Sequence, residues 1–159
     1  MKRVRHILSA TAFLLVFAIS FGAATVAGSQ PVKCDPTQED QLGPFYEPNA
    51  PLRTSVGQGY VLNGTVRSDA DCSAIAGARI EFWLAGPGGR YDDDHRATVL
   101  ADESGDYRFE SNFPPGYRGR PPHIHIRVSA PGFRTLITQH YPEKGRTEGS
   151  FELVLTPAR

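Results

Sequence analysis

The chain has 159 residues, of which 40% are hydrophobic and 21% are charged, and it carries no net charge at neutral pH. These values are typical of a globular protein, and the length allows one domain with a modest core and gives no indication of disorder or of a second domain. Without the first 27 residues the chain has 14 basic and 17 acidic residues, a net charge of −3, which gives no indication of a nucleic-acid partner.

Residues 1–27 have the pattern of a secretory signal peptide. The basic start "MKRVRH" is followed by the apolar run "ILSATAFLLVFAISFGAATVA", which ends in small residues. We expect cleavage near Ala27, a secreted or periplasmic protein, and no stable membrane insertion after cleavage. An uncleaved membrane anchor is the alternative, because the run is long enough to span a bilayer.

Residues 28–59 are predicted to form an extended N-terminal arm. They are rich in Pro, Gly and polar residues and show no periodicity. The arm contains Cys34, and Cys72 lies in the segment that follows. An exported compartment is usually oxidising, so a disulfide between the two cysteines is expected, with two free thiols as the alternative.

Residues 60–159 alternate apolar with polar residues in short segments separated by turn residues, and none shows helical periodicity. The segments are "YVLNGTVRS", "ARIEFWLAG", "ATVLAD", "DYRFES", "HIHIRVSA", "RTLITQHY" and "SFELVLT". They predict an all-β fold, an antiparallel β-sandwich of about seven strands. The segments around Gly77 and Gly105 resemble transthyretin-like (prealbumin-like) sandwiches, which include many binding modules, so the fold does not decide the function.

Two histidines lie one residue apart on a predicted strand. His123 and His125 project to one face, while Ile124 and Ile126 project to the other and seat the strand on the core. This arrangement leaves the histidine face free for chemistry. Two imidazoles form half of a metal site, but alone they fit zinc, copper or no metal.

Two tyrosines make the metal prediction more specific. Tyr91 follows a predicted strand in "GPGGRY", and Tyr117 precedes the histidines in a loop rich in Pro and Gly. Two phenolates with two imidazoles suit ferric iron, and coordination deprotonates a tyrosine whose free pKa is near ~10. Taken singly, Tyr91 would be interpreted as an edge aromatic and Tyr117 as a loop residue that packs on proline.

The motifs "GGRY", "DESGDYRF", "PPGYRGRPPHIH" and "LITQHYP", in this order, resemble the catalytic domain of intradiol ring-cleavage dioxygenases. That family contains catechol 1,2-dioxygenase and the protocatechuate 3,4-dioxygenase subunits, and "QLGPFYEPNAPLR" resembles its N-terminal "GP(F/Y)Y" segment. The resemblance implies a non-haem Fe(III) enzyme whose substrates are a catechol-type aromatic and O2. It implies cleavage between the two hydroxylated carbons to a muconate-type diacid.

The resemblance also implies roles for individual residues. The metal ligands would be Tyr91, Tyr117, His123 and His125. Tyr117 matches the axial ligand that leaves when substrate binds. Arg120 matches the arginine over the bound ring, with a surface ion pair as the alternative. Gln139 matches a glutamine near that arginine, with a strand-face hydrogen bond as the alternative.

The chain also departs from the large members of that family. The segment between Tyr117 and His123 is shorter, and we expect no N-terminal dimerisation helices, which implies a more open pocket or one lined by another subunit of a homo-oligomer. His140 stands where an apolar residue is more usual, which would change the wall beneath the substrate. The alternative function is a secreted transthyretin-like binding module that retains the motif without turnover.

Overall fold

The computed structural model describes residues 33–116 and 119–159. The predicted signal peptide and Tyr117 therefore lie outside the described residues. Within the described ranges, no helix is long and apolar enough to cross a membrane.

In the described part of the chain, the fold is built from eight strands and one short 3-10 helix. The strands are β1 (Tyr60–Ser68), β2 (Arg79–Leu84), β3 (Arg96–Leu100), β4 (Asp106–Ser111), β5 (Ile124–Ser129), β6 (Leu136–His140), β7 (Glu148–Ser150) and β8 (Leu153–Leu155). The 3-10 helix spans Asp93–His95 and leads directly into β3. The prediction of an all-β sandwich is confirmed.

The last predicted segment is divided into β7 and β8. Between them, the backbone N–H of Thr65 donates to the carboxylate of Glu152 at 3.3 Å, where a continuous strand would offer a carbonyl. Phe151 donates its own N–H to the carbonyl of Asn63 at 2.9 Å. A side chain therefore satisfies one backbone donor of β1 and interrupts the ladder.

The strands form two four-stranded sheets. One has the order β3-β2-β5-β6, and all of its pairs are antiparallel. In the other, β4 pairs with β1 in antiparallel fashion, whereas β7 and β8 both pair with β1 in parallel. The alternating pattern that predicted the strands carries no information on this parallel edge.

The hydrophobic core lies between the two sheets. Phe82 of β2 and Phe109 of β4 stack with their ring centroids 4.2 Å apart. Ile124 and Ile126 of β5 are fully buried beside them, as the strand pattern predicts. Burial of an aliphatic or aromatic side chain of this size contributes about 1.5–3 kcal/mol, so the apolar face of β5 is firmly seated.

The N-terminal arm is held along the sandwich at several points. Cys34 and Cys72 form a disulfide with a Cα–Cα distance of 5.1 Å, which confirms that expectation. The N–H of Asp40 donates to Ile137 of β6 at 2.9 Å, and the N–H of Thr98 in β3 donates to Pro51 at 2.7 Å. The arm thus runs across the face of the β3-β2-β5-β6 sheet that lies away from the core.

This arrangement corrects one expectation. The histidine face of β5 is not free, because His123 and His125 are only 3% and 2% exposed. Tyr46 of the arm lies over the same face, where its ring contacts Trp83 with centroids 5.0 Å apart. The sequence pattern of a strand shows only which of its faces is polar. Whether that face is exposed to solvent depends here on the arm that covers it.

Candidate metal centre

The register of the β3-β2-β5-β6 sheet places Trp83, His125 and Gln139 in one row across β2, β5 and β6. All three side chains are buried on the face that the arm covers. The indole of Trp83 stacks on the imidazole of His125, with centroids 5.0 Å apart and planes 7° from parallel. His125 is therefore fixed by packing before any ligand arrives.

His123 lies one residue before β5, and its ring orientation is set by a hydrogen bond. Its Nδ1 is 2.7 Å from the carbonyl oxygen of Pro121. Because a carbonyl only accepts, Nδ1 carries the proton and the Nε2 lone pair is left for another partner. Histidines that bind metals usually donate their other ring N–H in this way.

Tyr91 approaches that nitrogen. Its hydroxyl lies 3.3 Å from His123 Nε2. The segment before it forms a turn, in which Gly86 donates to the carbonyl of Arg90 at 2.8 Å and Gly89 adopts φ +72°. Phe45 of the arm stacks on the Tyr91 ring with centroids 4.4 Å apart. The turn and the arm together bring the phenol of Tyr91 to the imidazole of His123.

His125 meets the requirements of a metal ligand. Its Nδ1 is buried and has no hydrogen-bond partner in the part of the chain that the structure describes. Burial, together with the nearby His123 and Arg120, lowers the pKa of His125 to about 4, although the Gln41 backbone and the charge of Asp40 act in the opposite direction. The imidazole is therefore neutral at physiological pH, which is the form that binds a metal. An orphaned buried nitrogen is costly unless a ligand satisfies it, so the residues fit a bound cation.

Gly43 is a residue of the site that sequence reasoning missed. It adopts φ +74°, and a Cβ at this position would lie 2.8 Å from Cε1 of His125. Only glycine combines this backbone conformation with so close an approach. The sequence signal was its place in "LGPFY", one residue before a proline.

Arg120 and Gln139, both named from the sequence, lie in contact in the structure. A terminal nitrogen of Arg120 donates to Gln139 Oε1 at 2.7 Å and to the hydroxyl of Tyr141 at 3.0 Å. Gln139 Nε2 donates to the carbonyl of Gln41 at 2.5 Å. Tyr141 and Gln41 were not singled out from the sequence, because nothing local indicates that the arm reaches β6.

His140 does not belong to the site, contrary to expectation. It alternates with Gln139 along β6 and therefore projects to the other side of the sheet. Its Nε2 lies 2.7 Å from the hydroxyl of Tyr60, and its ring packs on Phe151. His140 thus links the two sheets and does not form a wall beneath a substrate.

The acidic run before β3 pairs with its own neighbours. Asp92 contacts His95 at 2.5 Å, and Asp93 bonds Arg96 at 2.6 Å. Within residues 33–116 and 119–159, no three His, Cys, Asp or Glu side chains come together as a metal site. The described donor set of the candidate centre is thus one phenol and two imidazoles.

A sandwich that carries such a donor set on one covered sheet has the features of a metalloenzyme domain. The family model described as Dioxygenase matches residues 43–147. The chain belongs to the intradiol ring-cleavage dioxygenase family.

Two relatives illustrate the family. The chain is 32% identical over 138 residues to a catechol 1,2-dioxygenase of Candida albicans, a match that covers 63% of this chain and 45% of that protein. It is 31% identical over 163 residues to a hydroxyquinol 1,2-dioxygenase of Nocardioides simplex, covering 82% of this chain and 55% of that protein. The chain thus spans about half the length of these relatives.

One solved structure matches over its full length. It is the dioxygenase domain of a dioxygenase and carbohydrate-binding protein fusion from Streptomyces sp. SirexAA-E. The TM-score is 0.70 at 30% identity, with 78% of this chain and 100% of that chain covered. These similarities favour an enzyme over the alternative of a binding module.

Proposed function

We propose that the protein is a non-haem Fe(III) intradiol dioxygenase that cleaves catechol-type rings with O2 to muconate-type diacids. The observation that carries the proposal is the convergence of the Tyr91 hydroxyl on His123 Nε2 at 3.3 Å, beside the buried ring of His125, whose centroid lies 4.8 Å from that of His123. A hard phenolate oxygen with neutral imidazoles suits ferric iron. Tyr117, outside the described residues, is proposed as the fourth ligand from its place in the sequence.

The chain supplies a preorganised and dry setting for the metal. Bound Fe(III) would supply Lewis acidity toward a chelated catechol. The Pro121 carbonyl holds the tautomer of His123, and Trp83 holds the ring of His125. The arm excludes water from both imidazoles, which strengthens electrostatic interactions at the site.

Two further side chains act on the substrate in this proposal, Arg120 and Tyr117, and Gln139 supports the first of them. The guanidinium of Arg120 faces the negative charge that develops on the activated ring and stabilises it. Gln139 holds that guanidinium through the 2.7 Å hydrogen bond. The phenolate oxygen of Tyr117 accepts one proton from the incoming catechol.

Export is part of the proposal. The signal-like residues 1–27 are cleaved near Ala27, and the protein acts in a secreted or periplasmic location. The disulfide between Cys34 and Cys72 supports an oxidising compartment. Mass spectrometry of the protein from the culture medium or periplasm would locate the mature N-terminus, and an intact start at Met1 would contradict cleavage.

Colour and oxygen uptake test the enzyme assignment. Tyrosinate bound to Fe(III) gives a visible charge-transfer band, which we expect in the iron-loaded protein and expect to weaken strongly in Tyr91→Phe. Tyr107→Phe is the matched control, because Tyr107 lies in β4 on the other sheet, where its hydroxyl donates a hydrogen bond to the carbonyl of Phe151. The control should keep the band.

Turnover is measured as oxygen uptake with catechol, protocatechuate and hydroxyquinol. We expect uptake with at least one of the three and a ring-cleaved diacid as product. A protein that stays colourless after Fe(III) loading contradicts the metal assignment. A coloured protein that consumes no oxygen with any of the three contradicts the proposed activity.

A further inference from the structure

The hydroxyl of Tyr141 lies at the centre of a hydrogen-bond network beside the candidate centre. It accepts from Arg120 at 3.0 Å, lies 2.8 Å from Asp40 Oδ2, and lies 3.1 Å from Gln139 Oε1. A guanidinium only donates, so the Tyr141 oxygen accepts from Arg120 and its single proton is free to be donated elsewhere. The carboxylate of Asp40 is the nearer and the charged acceptor, and it therefore accepts the hydrogen bond from the Tyr141 hydroxyl.

The side-chain amide of Gln139 is also oriented by its hydrogen bonds. Gln139 Nε2 donates to the carbonyl of Gln41, so Oε1 is the atom that faces Arg120. Arg120 thus meets two acceptors, one on the Gln139 amide and one on the Tyr141 phenol. Each of these is held by the arm, through Gln41 and Asp40 respectively.

Asp40 is well placed for this task. Its backbone N–H donates to Ile137 of β6 at 2.9 Å, and Thr138 donates its hydroxyl to the carbonyl of Gln38 at 2.9 Å. Burial raises the pKa of Asp40, but hydrogen bonds from the Gln41 backbone and from Tyr141 outweigh it, so the pKa lies below its usual value. Asp40 is therefore charged at neutral pH and fixed to the edge of the sheet.

We propose that Tyr141 and Asp40 are positioning residues that hold the guanidinium of Arg120 in one orientation over the substrate side of the metal centre. The inference rests on the proposed function, because it assigns a purpose to Arg120 that the reaction requires. Neither residue touches the substrate in this proposal. An arginine has large rotamer entropy, so two fixed acceptors favour a single geometry.

The variants Tyr141→Phe and Asp40→Asn test the proposal. Phenylalanine keeps the ring, whose centroid lies 6.2 Å from that of His123, and removes only the hydroxyl. Asparagine keeps the shape of Asp40 and removes its charge. Tyr107→Phe and Glu39→Gln are the matched controls, the first on the other sheet and the second an exposed carboxylate of the arm next to Asp40.

With iron-loaded protein we expect kcat to fall about tenfold in both variants, because preorganised charge is lost in the transition state. KM should change less than about twofold, since the groups that bind the substrate are retained. The iron content and the visible band should match the wild-type protein, and both controls should keep wild-type kcat. Loss of the band in Tyr141→Phe would show a role in metal binding and overturn the proposal.

A second measurement needs neither iron nor turnover. The rate of phenylglyoxal modification at Arg120, read by peptide fragmentation, should rise about fivefold in both variants, since one hydrogen bond of the network is lost. Arg108, which pairs with Glu110 on the other sheet, is the internal control and should react at the same rate in every protein.

The two measurements separate failure of the inference from failure of the proposed function. Should the wild-type protein cleave no catechol, the activity is wrong, and the labelling rates alone decide whether Tyr141 and Asp40 hold Arg120. Labelling rates at Arg120 equal to those of the wild-type protein overturn the inference in either case. So does wild-type kcat in both variants of an active enzyme.

Discussion

Replacing Gly43 with alanine tests whether the arm positions a metal ligand. Gly43 adopts φ +74°, and the methyl carbon of an alanine at this position would lie 2.8 Å from Cε1 of His125. The imidazole cannot simply swing away, because Trp83 stacks on it at a centroid distance of 5.0 Å. The added carbon must therefore push either the arm or the ring of His125.

Gly132 offers a matched control for the loss of stability expected in Gly43→Ala. It adopts φ +82°, but a Cβ at this position would meet no atom of the described chain within 4 Å beyond its own sequence neighbours. Alanine at Gly132 carries only the left-handed backbone cost of about 1–2 kcal/mol. Alanine at Gly43 carries the same cost and a further 1–3 kcal/mol, roughly, for overpacking against His125.

The affinity for Fe(III) should differ more between the two variants than their free energies of unfolding do. Displaced supporting contacts typically cost about 10- to 100-fold in metal affinity, so Gly43→Ala should bind Fe(III) at least about tenfold more weakly than Gly132→Ala. Affinity is measured by titration of the visible band against a competing chelator, and stability by urea unfolding of the same samples. Equal iron affinities in the two variants would refute the claim that the arm positions His125.

Three further predictions concern stability. Reduction of the Cys34–Cys72 disulfide, which closes a loop of 38 residues, should lower the free energy of unfolding by about 4 kcal/mol, and a change below about 1 kcal/mol in urea titrations would contradict this. Burial lowers the pKa of His140 to about 4 from 6.5, so the unfolded chain takes up a proton first as the pH falls. Stability should therefore fall by about 3 kcal/mol more between pH 7 and pH 4 in the wild-type protein than in His140→Gln, and equal falls would refute that cause. Arg127→Met removes a 2.7 Å partner from Glu81, whose side chain is 4% exposed, and leaves it the longer contacts with Arg79 at 3.6 Å and with the Tyr46 hydroxyl at 3.3 Å, so it should cost roughly 2 kcal/mol in urea unfolding. Recovery of the free energy of unfolding in the double variant that also carries Glu81→Leu would confirm that the weaker pairing of the buried carboxylate is the cause.

Much of the fold could be predicted because side-chain direction along a strand depends only on local backbone geometry. A period of two placed Ile124 and Ile126 in the core and His125 on the opposite face. The same alternation predicted the sandwich. The alternation carried no information on the break between β7 and β8. That break depends on the contact of the Glu152 side chain with Thr65, 87 residues away.

The residues of the candidate site likewise fall into those that the sequence indicates and those that only the structure shows. His125 could be assigned to the site from the sequence because it lies two positions after His123 on one strand. Tyr91 could be assigned because its motif is part of the resemblance to a family. The contact of Tyr141 with Asp40 joins residues 101 positions apart, and no local pattern indicates it. His140 shows the reverse error, since its position in the motif suggested a place near the substrate while the strand alternation turned it toward Tyr60.

Residue types and their spacing therefore establish the fold class, the family and the chemistry of the donor set, because those properties depend on each residue and its near neighbours. The path of the arm is different. Only the folded chain shows that it covers the imidazoles, places Gly43 against His125 and brings Asp40 to Tyr141. Those contacts depend on how distant segments pack together, and packing minimises the energy of the whole molecule and not of any one segment.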